Sequence, residues 1–178
     1  MYRLGARGGR QLLRAGGFWG ARTESQIGPN PTDRAKKGTK HHLVTDGGGV
    51  PLASVVTGAN RHDVTQLLPL IEAIPKIKGG VGAPLSKPPE VLGDRGYDSD
   101  EHRMKLSGRG IRPTLARKGT PHGSGLGIFR WPVERALSWL HQARRLRVRY
   151  EKRADLHHAF VKLRCAVICW SLLHSAFC

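Results

Sequence analysis

A chain of 178 residues has room for one domain with a buried core and little more. Its 30 Lys and Arg against 13 Asp and Glu leave a formal charge of +17, an imbalance that asks for a polyanionic partner such as a phosphate backbone. The three cysteines, Cys165, Cys169 and Cys178, all lie in the last stretch, which excludes a disulfide framework and suits a reducing compartment.

Met1–Gln26 is rich in Gly and Arg and has no acid before Glu24. Such a segment reads as a transit peptide, as a disordered basic arm, or as a stretch foreign to the domain that follows. The third reading is preferred, which divides the chain into an atypical segment, 1–27, and a domain, 28–178. Gly28–Lys40 is turn chemistry and charge, and reads as a loop. His41–Thr45 and Pro51–Thr57 then form a hairpin around the turn Asp46–Gly49, where Asp46 serves local hydrogen bonding. Asn60–Ile74 predicts a helix with Leu67, Leu70, Ile71 and Ile74 on one face. Lys76–Pro89 is a connector without a core of its own.

Glu90–Gly93 reads as a short buried strand, followed at once by Asp94. Asp100–Arg109 predicts a helix and Ile111–Ala116 another strand, so a mixed α/β sheet with parallel crossovers is expected. Such sheets bind ligands at the carboxyl ends of their strands, and Asp94 stands at one. Arg117–Gly127 is a basic, glycine-rich loop that lacks the Gly-Lys-Ser/Thr end of a P-loop. The next helix places Pro132 in its first turn, Val133, Leu137 and Leu140 on an apolar face, and Glu134, Ser138, His141 and Arg145 on the adjoining polar face. Ala154–Phe177 predicts a buried closing helix with Leu156, Phe160, Leu163, Val167 and Trp170 at core spacing. Lys162, Arg164 and His174 interrupt its apolar run, so no membrane span is expected. His41, His42, His157 and His158 match no zinc spacing and read as surface residues.

Two acids carry the chemistry this pattern suggests. Asp94 and Glu134, brought together, would repel unless a divalent cation lay between them, and oxygen ligands select Mg²⁺ or Mn²⁺. Two such ions could activate a nucleophile and stabilise the leaving oxygen of a phosphodiester, which requires a third carboxylate. Between Arg103 and Arg153 there are 14 Lys and Arg against Glu134 and Glu151 alone. Arg117, Lys118, Arg130, His141, Arg144, Arg145, Arg147 and Arg149 are the candidate DNA contacts in that basic half.

The stretches GPNPTDR, GTKHHLVTDGGGVPLASVVTGANRHDVTQLLPL, LGDRGYDSD and HGSGLGIFRWPVERALSWLHQARRLRVRYEKRADLHHAF together resemble the catalytic domain of DDE-type bacterial insertion-sequence transposases of the IS-five group. The resemblance runs from about Gly28 to Leu173. It implies an RNase H-like mixed sheet flanked by helices, three acids binding two divalent metals, and cutting and joining of double-stranded DNA at transposon ends. It also implies a cytoplasmic, nucleoid-associated protein that forms a homo-oligomer in a full-length form. By matching motif, Asp94 is the second acid, Glu134 the third, and Arg130 the basic residue of the glutamate signature.

The departures are specific. The first aspartate of the family lies in a strand shortly before GPNPTDR, and RQLLRAGGFWGARTESQI here has none. Neither Asp33 nor Asp46 matches that position, and Gly127 stands where the signature has an aromatic residue. The expectation is therefore a truncated or disrupted copy, with the first catalytic strand missing or replaced and strand transfer severely reduced. A DNA-binding remnant without chemistry and an RNase H-like nuclease are the alternatives.

Overall fold

The computed structural model describes the backbone of residues 2–8, 26–31, 34–77, 84–85, 87–117, 119 and 127–177, and the side chains of these except 2–8, 127–130 and 176–177. Six strands form the sheet: β1 (Tyr2–Gly8), β2 (Gly28–Pro29), β3 (Lys37–Thr45), β4 (Pro51–Gly58), β5 (Glu90–Gly93) and β6 (Arg112–Leu115). The main order is β4-β3-β1-β5-β6, with β2 a two-residue pairing on the first residues of β3. β1 is antiparallel to β3, from Arg3↔Thr45 to Gly8↔Lys40, and parallel to β5 through Tyr2↔Val91 and Arg3↔Leu92. β6 continues the parallel side.

This central strand departs from the expectation for residues 1–27. Tyr2–Gly8 lies between β3 and β5, so a strand occupies the middle of the sheet. Its sequence, YRLGARG, contains no acid. Weak strand propensity is offset here by ladder pairing on both sides, a tertiary effect that no local pattern announces. Residues 9–25 lie outside the described residues.

Pairing across the sheet separates two cores, because paired residues share a face and successive residues alternate. Val44, Val91, Tyr97, Leu106, Ile111 and Leu115 pack with Leu67, Leu70 and Ile71 of α1 (Leu67–Glu72) on one face. Leu43 and Val56 pack on the other, against Val133, Ala136, Leu137 and Leu140 of α3 (Gly127–Gln142), and against Val161 and Ile168 of α5 (Ala154–Phe177). The expected apolar face of α3 is thus the buried one. α3 begins at Gly127, so Pro132 lies inside the helix rather than in its first turn. The predicted helix over 60–74 is shorter, a 3₁₀ turn at Asp63–Gln66 leading into α1. α2 (Asp100–Gly108) matches its prediction closely, and Arg144–Arg147 forms a single helical turn, α4.

The closing helix has its predicted bounds but turns the other face inward. Ala154, His157, Val161 and Ile168 are buried, whereas Leu156, Leu163, Val167 and Trp170 are exposed. By length and composition alone Ala154–Ser175 could cross a membrane, although it contains Lys162 and Arg164.

Candidate nucleic-acid site

Asp94 continues the extended backbone of β5, and its side chain accepts a hydrogen bond from the Gly96 N–H at 3.0 Å. Leu92 pairs with Arg3, which pairs with Thr45, so Leu92 shares the face of Thr45 and Leu43. Two residues further along the same pleat, Asp94 emerges toward that face, the side on which α3 lies. Glu134 is exposed on α3 between Pro132 and Arg135. Both of those neighbours meet the β3–β4 turn: the Arg135 guanidinium donates to the Gly48 carbonyl at 2.7 Å, and Pro132 abuts Gly49.

The structure also brings Asp63 toward Asp94. A Cβ on Gly96 would lie 3.0 Å from Asp63 Oδ2 and 3.1 Å from Asp94 Oδ1, so the two carboxylates flank this glycine. Asp63 is paired with Lys40 Nζ at 2.8 Å. The signal was available in NRHD, which follows β4, but a lone acid near a helix start reads first as a cap. Asp98 accepts from Arg103 at 2.7 Å, and Glu101, in the first turn of α2, pairs with Lys105. Asp46 holds the hairpin turn through the Gly48 and Val50 N–H groups, as expected.

The histidines differ most from expectation. His41, His42 and His157 are fully buried. His42 lies between Thr57 Oγ1 at 2.8 Å and the Tyr97 hydroxyl at 3.3 Å. Tyr97 is thereby a packing residue with no exposed surface, and burial beside Asp63 and Asp94 pushes its phenol well above the usual range. The other two form a chain. His157 Nδ1 lies 3.5 Å from the Glu151 carboxylate, His41 Nε2 lies 2.9 Å from His157 Nε2, and His141 Nε2 lies 3.0 Å from His41 Nδ1. A carboxylate only accepts, so it fixes every tautomer in turn: His157 Nδ1–H donates to Glu151, His41 Nε2–H to His157, and His141 Nε2–H to His41. The chain is complete with His41 and His157 neutral. Desolvation holds His41 well below 6.5 and brings His157 to about 4, aided by the charge of Arg149.

Of the candidate DNA contacts, Arg144, Arg147 and Arg117 are exposed. Arg145 is exposed but engaged, pairing with Glu151 at 2.9 Å and lying over Phe160. His141 is half-buried, with its Nε2 on His41. One assignment needs correction. Arg149 is only 1% exposed, donating to the Glu151 carbonyl at 2.8 Å, to Thr39 Oγ1 at 2.8 Å and to the Gln26 carbonyl at 3.1 Å. It is a buried clamp joining Gln26, β3 and the loop before α5, and it cannot reach a phosphate. Lys118 and the Arg130 side chain lie outside the described residues. Trp131 is half-exposed, with the Arg135 guanidinium 4.2 Å from its ring centre.

The exposed cations share one end of the sheet. Lys36 and Lys37 stand where β3 begins, Arg61 where β4 has ended, and Arg117 just past β6. Arg144 and Arg147 follow the end of α3 that His141 ties to β3. Asp94, at the carboxyl end of β5, opens toward this same rim, an arrangement suited to a polyanion lying across the strand ends.

The fold and this acid-bearing, cation-rimmed strand end belong together in one class: the chain is a member of the transposase DDE domain family, whose model matches residues 11–170. Among known proteins it is 59% identical over 158 residues to the "Putative transposase for insertion sequence element IS402" of Burkholderia cepacia, an alignment covering 89% of this chain and 74% of that protein. It is 31% identical over 117 residues to the "Transposase for insertion sequence element IS1106" of Neisseria meningitidis serogroup B, covering 60% of this chain and 37% of the relative.

Proposed function

We propose that this chain is an insertion-sequence transposase domain that engages duplex DNA but does not carry out strand transfer. The observation that carries this reading is the central strand. The order β4-β3-β1-β5-β6 is what an RNase H-like reading requires, and in that reading β1 supplies the first acid beside Asp94. Here β1 reads YRLGARG.

The donor set does not fit a two-metal centre. Among the described residues no three His, Cys, Asp or Glu are grouped so as to hold a metal ion. Asp63 adds a second carboxylate next to Asp94, but Lys40 already neutralises it. Mg²⁺ or Mn²⁺, the cofactor of the family reading, would therefore be held poorly at Asp94 and Glu134, and no chemical step is assigned to it. What remains is recognition by charge. Arg117, Arg144 and Arg147 contact phosphates, with Lys36, Lys37 and Arg61 on the same rim. A protein doing this works where DNA is, in the cytoplasm on the nucleoid.

The test is titration of a fluorescent duplex at several salt concentrations. Binding should weaken steeply with salt, and replacing Arg144 and Arg147 together by Ala should lower the log–log slope by about 2, near 0.9 per lost phosphate contact. An unchanged slope would remove these arginines from the interface. A slope near zero in the parent chain would remove DNA as the partner.

A further inference from the structure

α5 carries a stripe that the domain leaves uncovered. Leu156, Ala159, Leu163, Ala166, Trp170 and Leu173 follow at alternating steps of three and four residues, the heptad spacing of a helix–helix seam, and all six are exposed. Leu163 is 61% exposed and Trp170 69%. A contiguous apolar stripe of this kind on a globular domain marks a contact surface. It is independent of the acids and of the basic rim.

We infer that α5 pairs antiparallel with α5 of a second copy of this chain, about a two-fold axis passing between Arg164 and Cys165. The stripe is complementary to itself only in that direction. The two-fold sets Leu163 against the partner's Ala166, Ala159 against the partner's Trp170, and Leu156 against the partner's Leu173. Each central layer thus joins one large and one small side chain, as close packing requires. A parallel pairing would stack Trp170 on its own copy and leave Ala159 and Ala166 facing alanines across a gap.

Charge permits the same arrangement. A chain of net charge +17 resists self-association wherever like charges meet. In the antiparallel seam Lys162 faces the partner's Cys169, and Phe160 faces the partner's Val167, so no two cations are opposed. The helix is also held to its own domain, since Arg164 Nε donates to the Trp139 carbonyl at 3.1 Å and His158 Nε2 to the Ser54 carbonyl at 3.0 Å. That anchoring leaves the stripe facing outward and disfavours withdrawal of α5 into a bilayer. The stripe would bury roughly 500 Å² per copy, or roughly 1,000 Å² in all, the lower edge for a specific interface. A micromolar dimer is the expectation.

The test has two arms, both on the full chain in DNA-free buffer. In sedimentation velocity from about 1 to about 200 µM, the protein should pass from one copy to two, spanning the affinity a small interface supports. Leu163→Glu and Trp170→Glu should each hold it as a single copy; both sites are exposed, so circular dichroism should be unchanged. In a background with the three native cysteines replaced by alanine, chains bearing Leu163→Cys are mixed with chains bearing Ala166→Cys and oxidised. Antiparallel pairing gives the mixed disulfide in preference to either self-linked product. A single copy at the highest concentration, self-linked products in excess, or association unaffected by Leu163→Glu would each overturn the proposal. So would binding of the monomer, through α5, to vesicles of neutral lipid.

Discussion

Acidification should unfold this protein earlier than its carboxylates alone would dictate, because the histidine chain requires His41 and His157 to be neutral. His157 has its pKa lowered from 6.5 to about 4 by burial, and His41 is shifted further in the same direction. A depressed folded-state pKa means that the unfolded chain binds more protons between pH 4 and pH 6.5. The stabilisation is therefore fully present above about pH 6.5 and is lost as pH falls toward 4. Integrating the linkage for His157 alone gives a loss of about 2 kcal/mol between pH 7 and pH 5. His42, lowered to about 4 by burial, adds with the same sign, as does His41. Ordinary carboxylates titrate below this window, so urea unfolding at pH 7, 6, 5.5 and 5 isolates the histidines. The midpoint should fall steadily across the series with an unchanged m value. A flat midpoint down to pH 5 would mean that these rings take up protons inside the folded protein, and the tautomer chain derived above would be wrong.

Further expectations concern single residues. Arg149→Ala should destabilise the fold by about 3 kcal/mol or more, since it empties the space of a large, fully buried side chain and removes its hydrogen bonds to Thr39 Oγ1 and to the Glu151 and Gln26 carbonyls; denaturant titration reads this directly, and a loss under 1 kcal/mol would reject the clamp. Gly96→Ala should displace the Asp63 and Asp94 carboxylates, which a methyl group would meet at 3.0 and 3.1 Å. Changed chemical shifts at both aspartates with little loss of stability are the expected signature, and unperturbed resonances would count against the packing described.

How much of this was legible in the sequence depends on whether the cause was local. β5, α2 and the apolar face of α3 were readable because a short apolar run, Val91–Leu92, and the spacing Val133, Leu137, Leu140 carry their own signal. The ends of α5 were readable too, but not its orientation: both sides of that helix are apolar, and periodicity tells which residues share a face, not which face turns inward. β1 was missed because its strand character comes from partners on either side. The histidine chain joins residues 41, 141 and 157, and nothing in a sequence places a polar side chain from one helix opposite a strand 100 or more positions away. Arg149 looked like its exposed neighbours Arg147 and Arg144; only burial distinguishes it. At the candidate site Asp94 was found from the strand ending, whereas Asp63 needed the approach of two loops around Gly96.

If the lack of an acid in β1 separates DNA binding from DNA cutting, nicking of supercoiled plasmid will show it. The register Arg3↔Leu92 makes Gly5 the β1 position level with Asp94, so the assay compares the parent chain with Gly5→Asp in Mg²⁺ and in Mn²⁺. The expected result is a bound but uncut plasmid for the parent chain, with divalent-dependent nicking only once the aspartate is introduced. Nicking by the parent chain that disappears in Asp94→Asn would contradict it.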